Sequence, residues 1–113
     1  MSSRRLGLLA ALSLAGAAAI PAAAFGGAHS AAGHVVTLKN FRFHPGILTI
    51  HLGDSVTWLW RDRDTEHNVT FRGFHSRTQL HGSYTVRFTR RGTFPYSCTI
   101  HIEQGMTGRI IVR

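Results

Sequence analysis

At 113 residues the chain has room for one domain, and its 13 Lys and Arg against 5 Asp and Glu give a formal charge of +8. The single cysteine excludes an intrachain disulfide, the usual staple of a small exported domain. A basic balance often suggests nucleic acid, but the export signal described next argues against it and for an acidic protein partner or an anionic surface.

Met1-Ser2-Ser3-Arg4-Arg5 is a short basic start, Leu6 to Ile20 is an apolar run without a charge, and Pro21-Ala22-Ala23-Ala24 supplies small residues. This is the order of a cleavable export signal, and its 15-residue apolar run is shorter than the roughly 20 residues of a spanning helix. The expected organisation is a cleaved signal over 1–24, a Gly/Ala/Ser/His leader over 25–33 and one domain over 34–113, with no membrane span in the mature chain. The expected location is the periplasm or the extracellular face of the cell envelope. Without Arg4 and Arg5, 11 Lys and Arg still face 5 acidic residues.

Structure is expected from His34. Val35–Lys39 is β-branched, Phe41-Arg42-Phe43 alternates, and His44-Pro45-Gly46 breaks the pattern. Ile47–Leu52 places Leu48, Ile50 and Leu52 on one strand face, and Ser55–Trp60 places Val56, Trp58 and Trp60 on another. A charged loop follows over Arg61–Glu66, and His67–Phe71 reads as a short strand. Arg72–Gly82 carries only loop signals. Ser83–Thr89 has the clearest alternation, with Tyr84, Val86 and Phe88 inward and Thr85 and Arg87 outward. Phe94, Tyr96 and Cys98 share a face, so the sulfur points into the end of the core, and Gly108–Val112 supplies a last strand. Short strands with regular turn signals and no helical period indicate an all-β sandwich or barrel.

Cys98, His101 and Met106 fall within nine residues. A lone cysteine is most often a small buried hydrophobe, and an isolated histidine or methionine is surface or core. Together, a thiolate, an imidazole and a thioether make a donor set that suits copper. A fourth donor must come from elsewhere, from the seven of the eight histidines other than His101. His29 and His34 lie in or beside the leader, His75 and His81 in a loop, and His51 on the outer face of its strand. His44, before Pro45 at a turn, remains an alternative. His67 opens an apolar strand directly after a polar loop, where a rigid donor at the end of a sandwich would stand.

His67-Asn68-Val69, Cys98-x2-His101-x4-Met106, Gly53-Asp54-Ser55-Val56-Thr57-Trp58 and Gly92-Thr93-Phe94-Pro95-Tyr96-Ser97-Cys98 resemble the small cupredoxins, the plastocyanin-like blue copper proteins. The resemblance spans roughly Val35–Arg113. It implies a Greek-key β-sandwich of about seven or eight short strands and one type 1 copper held by His67, Cys98 and His101, with Met106 long and axial. The implied function is single-electron transfer between redox protein partners by a monomer rather than catalysis. It also implies that Asn68 braces Cys98 and Thr99, and that the edge of His101 emerges through an apolar patch including Ile100 and Ile102. Two departures stand out: Ile100 replaces the usual proline before the second histidine, and Glu66 precedes the first. Glu66 is expected to favour the cupric state.

An extracytoplasmic copper carrier or buffer would use the same donors and is the alternative function. A multicopper oxidase needs His-x-His pairs, which are absent from the sequence. A closed zinc site would not use methionine.

Overall fold

The computed structural model describes residues 30–113. The expected export signal and most of the expected leader lie outside the described residues. Among the described residues nine strands follow in order: β1 (Gly33–Lys39), β2 (Arg42–His44), β3 (Ile47–Ile50), β4 (Ser55–Trp60), β5 (Thr70–Phe71), β6 (Phe74–His75), β7 (Ser83–Arg87), β8 (Gly92–Ser97) and β9 (Thr107–Val112), with a 3-10 helix (Thr99–Gln104) between the last two. They form a four-stranded sheet, β2-β1-β4-β7, and a five-stranded sheet, β3-β9-β8-β5-β6. Both sheets are mixed, because β1 runs parallel to β4 and β9 parallel to β3 while the remaining pairs are antiparallel.

The two-residue period drives this arrangement. In β4 the alternation of Val56, Trp58 and Trp60 inward against Ser55, Thr57 and Leu59 follows the pleat. Those three join Val36 and Leu38 of β1, Phe43 of β2, Phe71 of β5, Tyr96 of β8 and Ile110 and Val112 of β9 in one core drawn from both sheets. Trp58 is fully buried and meets Phe71 and Tyr96 edge-on, at 5.6 and 5.4 Å between ring centroids, geometry that aromatic quadrupoles favour.

β1 and β2 meet at Lys39↔Arg42, so Asn40 and Phe41 form a two-residue hairpin turn. Both have positive φ, 55° and 58°, which is the type I′ requirement for that loop length. Asparagine tolerates the left-handed region, whereas a phenylalanine there carries a cost of about 1–2 kcal/mol.

Two expectations need correction in detail. The strand expected over His67–Phe71 pairs only at Thr70–Phe71, and His67 joins Gln79 by an isolated bridge. The reason is that side chains take the intervening amides: Asn68 N–H points to the Cys98 sulfur and Val69 N–H donates to the Ser76 hydroxyl. The segment Arg72–Gly82 contains β6, which brings the strands among the described residues to nine, and Ser76 is buried. The chain after Cys98 makes 3-10 turns with a kink at His101, closed by His101 N–H to Cys98 C=O at 3.1 Å and Gly105 N–H to Ile102 C=O at 2.9 Å.

Candidate metal centre

The centre lies where the 3-10 turn leaves β8. Cys98 continues the inward parity of Tyr96 and is fully buried. Cys98 is extended at φ -93° and ψ 113°, and the tight turn through Thr99 and Ile100, closed by His101 N–H on the Cys98 carbonyl at 3.1 Å, brings both donors to one side. His101 itself departs from helical dihedrals at φ -132° and ψ 30°, and its Nδ1 reaches 3.4 Å from Cys98 Sγ. The turn ends on Gly105 in the left-handed region at φ 78°. Met106 then ties back to both donors, with Cys98 N–H to Met106 C=O at 3.0 Å and Met106 N–H to His101 C=O at 3.2 Å. Its side chain is fully buried.

His67 arrives from the long loop between β4 and β5. Its backbone is held by reciprocal 3.1 Å hydrogen bonds with Gln79 and by the Trp60 indole N–H donating to its carbonyl at 2.9 Å. Its imidazole is fully buried, with Nδ1 3.2 Å from His101 Nδ1 and 3.9 Å from Cys98 Sγ. The far nitrogen, Nε2, donates to Asp62 Oδ2 at 2.7 Å.

That last contact decides the chemistry of the cluster. A carboxylate only accepts, so the His67 proton sits on Nε2 and Nδ1 presents a bare lone pair. Two imidazole nitrogens and a thiol sulfur then crowd together with fewer hydrogens than lone pairs. Their three separations close a triangle whose corners share a point about 2 Å from each, the length of metal–imidazole bonds. All three donor atoms lie within 4.8 Å of one another, the one such group of His, Cys, Asp and Glu side chains among the described residues.

Asn68 braces the site as expected. Its backbone N–H lies 3.4 Å from Cys98 Sγ, its side-chain N–H groups donate to Thr78 and Thr99 hydroxyls at 2.9 and 2.8 Å, and its Oδ1 accepts from Thr99 N–H at 3.0 Å and Thr70 Oγ1 at 2.9 Å. The amide's two donors and two lone pairs are all used.

The remaining sequence candidates separate cleanly. His44 is exposed and its Nε2 lies 3.3 Å from the Lys39 carbonyl. His34 pairs with buried Asp54 at 2.9 Å, and His75 Nδ1 donates to the Ser76 carbonyl at 2.7 Å. His51 is exposed. Glu66 also faces solvent, and the carboxylate that touches His67 is Asp62, placed there because the loop folds back by five residues. No periodicity in Arg61–Glu66 marks one acid over the other. Phe41 was missed as well: its ring lies edge-on to His101 at 4.7 Å and to His67 at 6.1 Å.

Burial holds the His101 imidazole below its ordinary range, the neighbouring His67 adds to this, and the Asp62 charge opposes it. A lowered pKa keeps the His101 ring uncharged near neutral pH.

Residues 31–113 match the family model for copper binding proteins of the plastocyanin/azurin family. The chain belongs to that family. Among curated relatives, it is 33% identical over 85 residues to a chloroplastic plastocyanin of Tetradesmus obliquus, covering 63% of this chain and 58% of the relative. It is also 33% identical over 86 residues to an amicyanin of Paracoccus denitrificans, covering 69% and 63%. The chain thus spans less than two thirds of the length of these relatives. Solved amicyanins share the fold: a Met-to-Ala variant in its Cu(I) form superposes with a TM-score of 0.65 at 28% identity, covering 72% of this chain and 82% of that one. A reduced Pro-to-Gly variant gives 0.64 at 30% identity, covering 76% and 85%. The cupredoxin sandwich expected from the sequence is the observed fold, and the cofactor that fits this cupredoxin's His-Cys-His cluster is one type 1 copper ion.

Proposed function

We propose that this cupredoxin is an exported electron carrier whose copper is held by His67, Cys98 and His101, with Met106 as a weak axial donor, and that it has no catalytic turnover of its own. The convergence of three soft and borderline donors on one buried point carries the reading. Bound copper would supply a one-electron couple between its cuprous and cupric states, and thiolate, imidazole and thioether together suit both. The chain's part is to keep the donors still. The Gln79 bridge and Trp60 hold His67, Asn68 holds Cys98 and Thr99, and the hydrogen bonds around Met106 hold the 3-10 turn. A frame braced on every side changes little when the charge changes, and little reorganisation favours fast transfer.

His101 is only partly buried, and Ile100, Ile102 and Phe41 around it are 50%, 51% and 39% exposed. This apolar rim is the surface through which electrons would pass. The surplus of Lys and Arg argues for a redox partner with an acidic docking face, whose association would weaken with salt. Export and removal of residues 1–24, followed by the 25–33 leader, complete the reading. No helix among the described residues is long and apolar enough to cross a membrane.

The test is to load the protein with cupric ion and record visible absorption and electron paramagnetic resonance, with Cys98→Ser as control. An intense blue band with small copper hyperfine splitting, lost in the variant, is expected. A pale spectrum unaffected by the substitution would replace electron transfer with the carrier or buffer reading. Mass spectrometry of the exported protein would check cleavage after Ala24.

A further inference from the structure

We propose that Asp62 is a positioning residue of the copper centre, which locks His67 in its binding tautomer and sets the reduction potential low by placing a fixed negative charge behind that imidazole. The inference rests on the reading of His67 as a copper donor.

The geometry supplies both halves. Asp62 Oδ2 accepts from His67 Nε2 at 2.7 Å and from the Asn40 backbone N–H at 3.0 Å. One oxygen therefore joins the charged loop, the type I′ turn that carries Phe41 onto His101, and the buried histidine. His67 is wholly buried and the Asp62 side chain is only 16% exposed, so the charge is poorly screened and the hydrogen bond is charge-assisted and short. Holding Nε2–H fixes the ring's rotation and leaves Nδ1 facing Cys98 and His101, as outer hydrogen-bond partners do for metal-bound histidines. A carboxylate also makes the ring a stronger donor. Extra negative charge stabilises the more positive cupric ion more than the cuprous ion, which lowers the potential.

Asp62 thus takes the role that sequence position suggests for Glu66. The two residues bracket the same loop, but Glu66 is exposed and its charge is screened by water.

Two measurements test the proposal. In the metal-free wild-type protein at mildly alkaline pH, nitrogen NMR of the histidine side chains should show His67 as the Nε2–H tautomer, and an Nδ1–H tautomer would overturn the assignment without any variant. In the copper-loaded protein, Asp62→Asn keeps the size and an acceptor but removes the charge. The ratio of cuprous to cupric affinity should rise about tenfold, which for one electron is about 59 mV in the potential, while the blue band is retained. Glu66→Gln should leave the ratio within about twofold, a fraction of the tenfold step that equals 59 mV. A blue band with an unmoved potential in Asp62→Asn would overturn the inference alone, as would an equal shift in Glu66→Gln. The absence of a blue band in the wild type would overturn the copper reading and this inference together.

Discussion

The backbone N–H of Asn68 points at the sulfur of Cys98 from 3.4 Å, across 30 residues of chain. Around that contact the Asn68 amide ties Thr78, Thr99 and Thr70 together, so one side chain joins its own segment and that of Thr78 to the stretch that carries the cysteine.

Asn68→Ala leaves the Thr99 amide and three hydroxyls without their partner. The expected loss is about 1–3 kcal/mol of stability in the metal-free protein and about 10–100-fold in copper affinity. Urea unfolding and competition titration measure the two separately. Wild-type values in both would show that the network is incidental.

Gly108 faces Tyr96 across the β8–β9 pair. A Cβ there would lie 2.7 Å from Tyr96 Cζ and its hydroxyl and 3.0 Å from the Gly46 carbonyl. The Tyr96 ring cannot yield easily, because Phe43, Trp58 and Phe71 surround it at 4.6, 5.4 and 4.9 Å. Gly108→Ala should cost about 1–3 kcal/mol through overpacking. Gly105→Ala meets nothing within 4 Å at φ +78° and should cost about 1–2 kcal/mol from left-handed strain alone. A urea midpoint for Gly108→Ala at or above wild type would contradict the packing argument.

Tyr96 supplies a pH dependence. Burial pushes its hydroxyl from 10.0 up to about 12, and the approach of the Trp58 indole N–H opposes this only in part. Neither atom completes a hydrogen bond among the described residues. The raised folded pKa means that the neutral phenol is preferred in the native state. Its contribution is full below pH 10 and is lost as pH rises towards 12, a change of about 3 kcal/mol by proton linkage. Tyr96→Phe should therefore unfold at nearly the wild-type urea concentration at pH 7 and be the more stable of the two at pH 12. Parallel alkaline profiles would refute the buried-phenol explanation.

A ligand that binds only the folded state adds about 4 kcal/mol when it is a thousandfold above its dissociation constant, so the copper-loaded protein should exceed the metal-free protein by up to that amount. His101 protonates below its ordinary 6.5, and a proton on Nδ1 excludes the metal. The difference in melting temperature between loaded and metal-free protein should shrink as pH falls through the range in which His101 gains its proton, because that proton competes with the metal. A difference that widens on acidification would argue against His101 as a donor.

Much of this protein was determined by sequence alone, because strand pleat and short-range spacing are local properties. Alternation in Ser55–Trp60 and Ser83–Thr89 announced the inward faces, and the parity of Phe94, Tyr96 and Cys98 aimed the sulfur. The three-residue step to His101 brought two donors to one side of a turn. Only the tertiary structure decided what crosses the chain. It put Asp62 rather than Glu66 behind His67, gave Ser76, Thr78 and Gln79 of an uninformative loop the task of bracing the site, and carried Phe41 over His101. Such contacts depend on where a loop returns in space and on which side chain captures a free amide, and neither follows from periodicity or from distance along the chain.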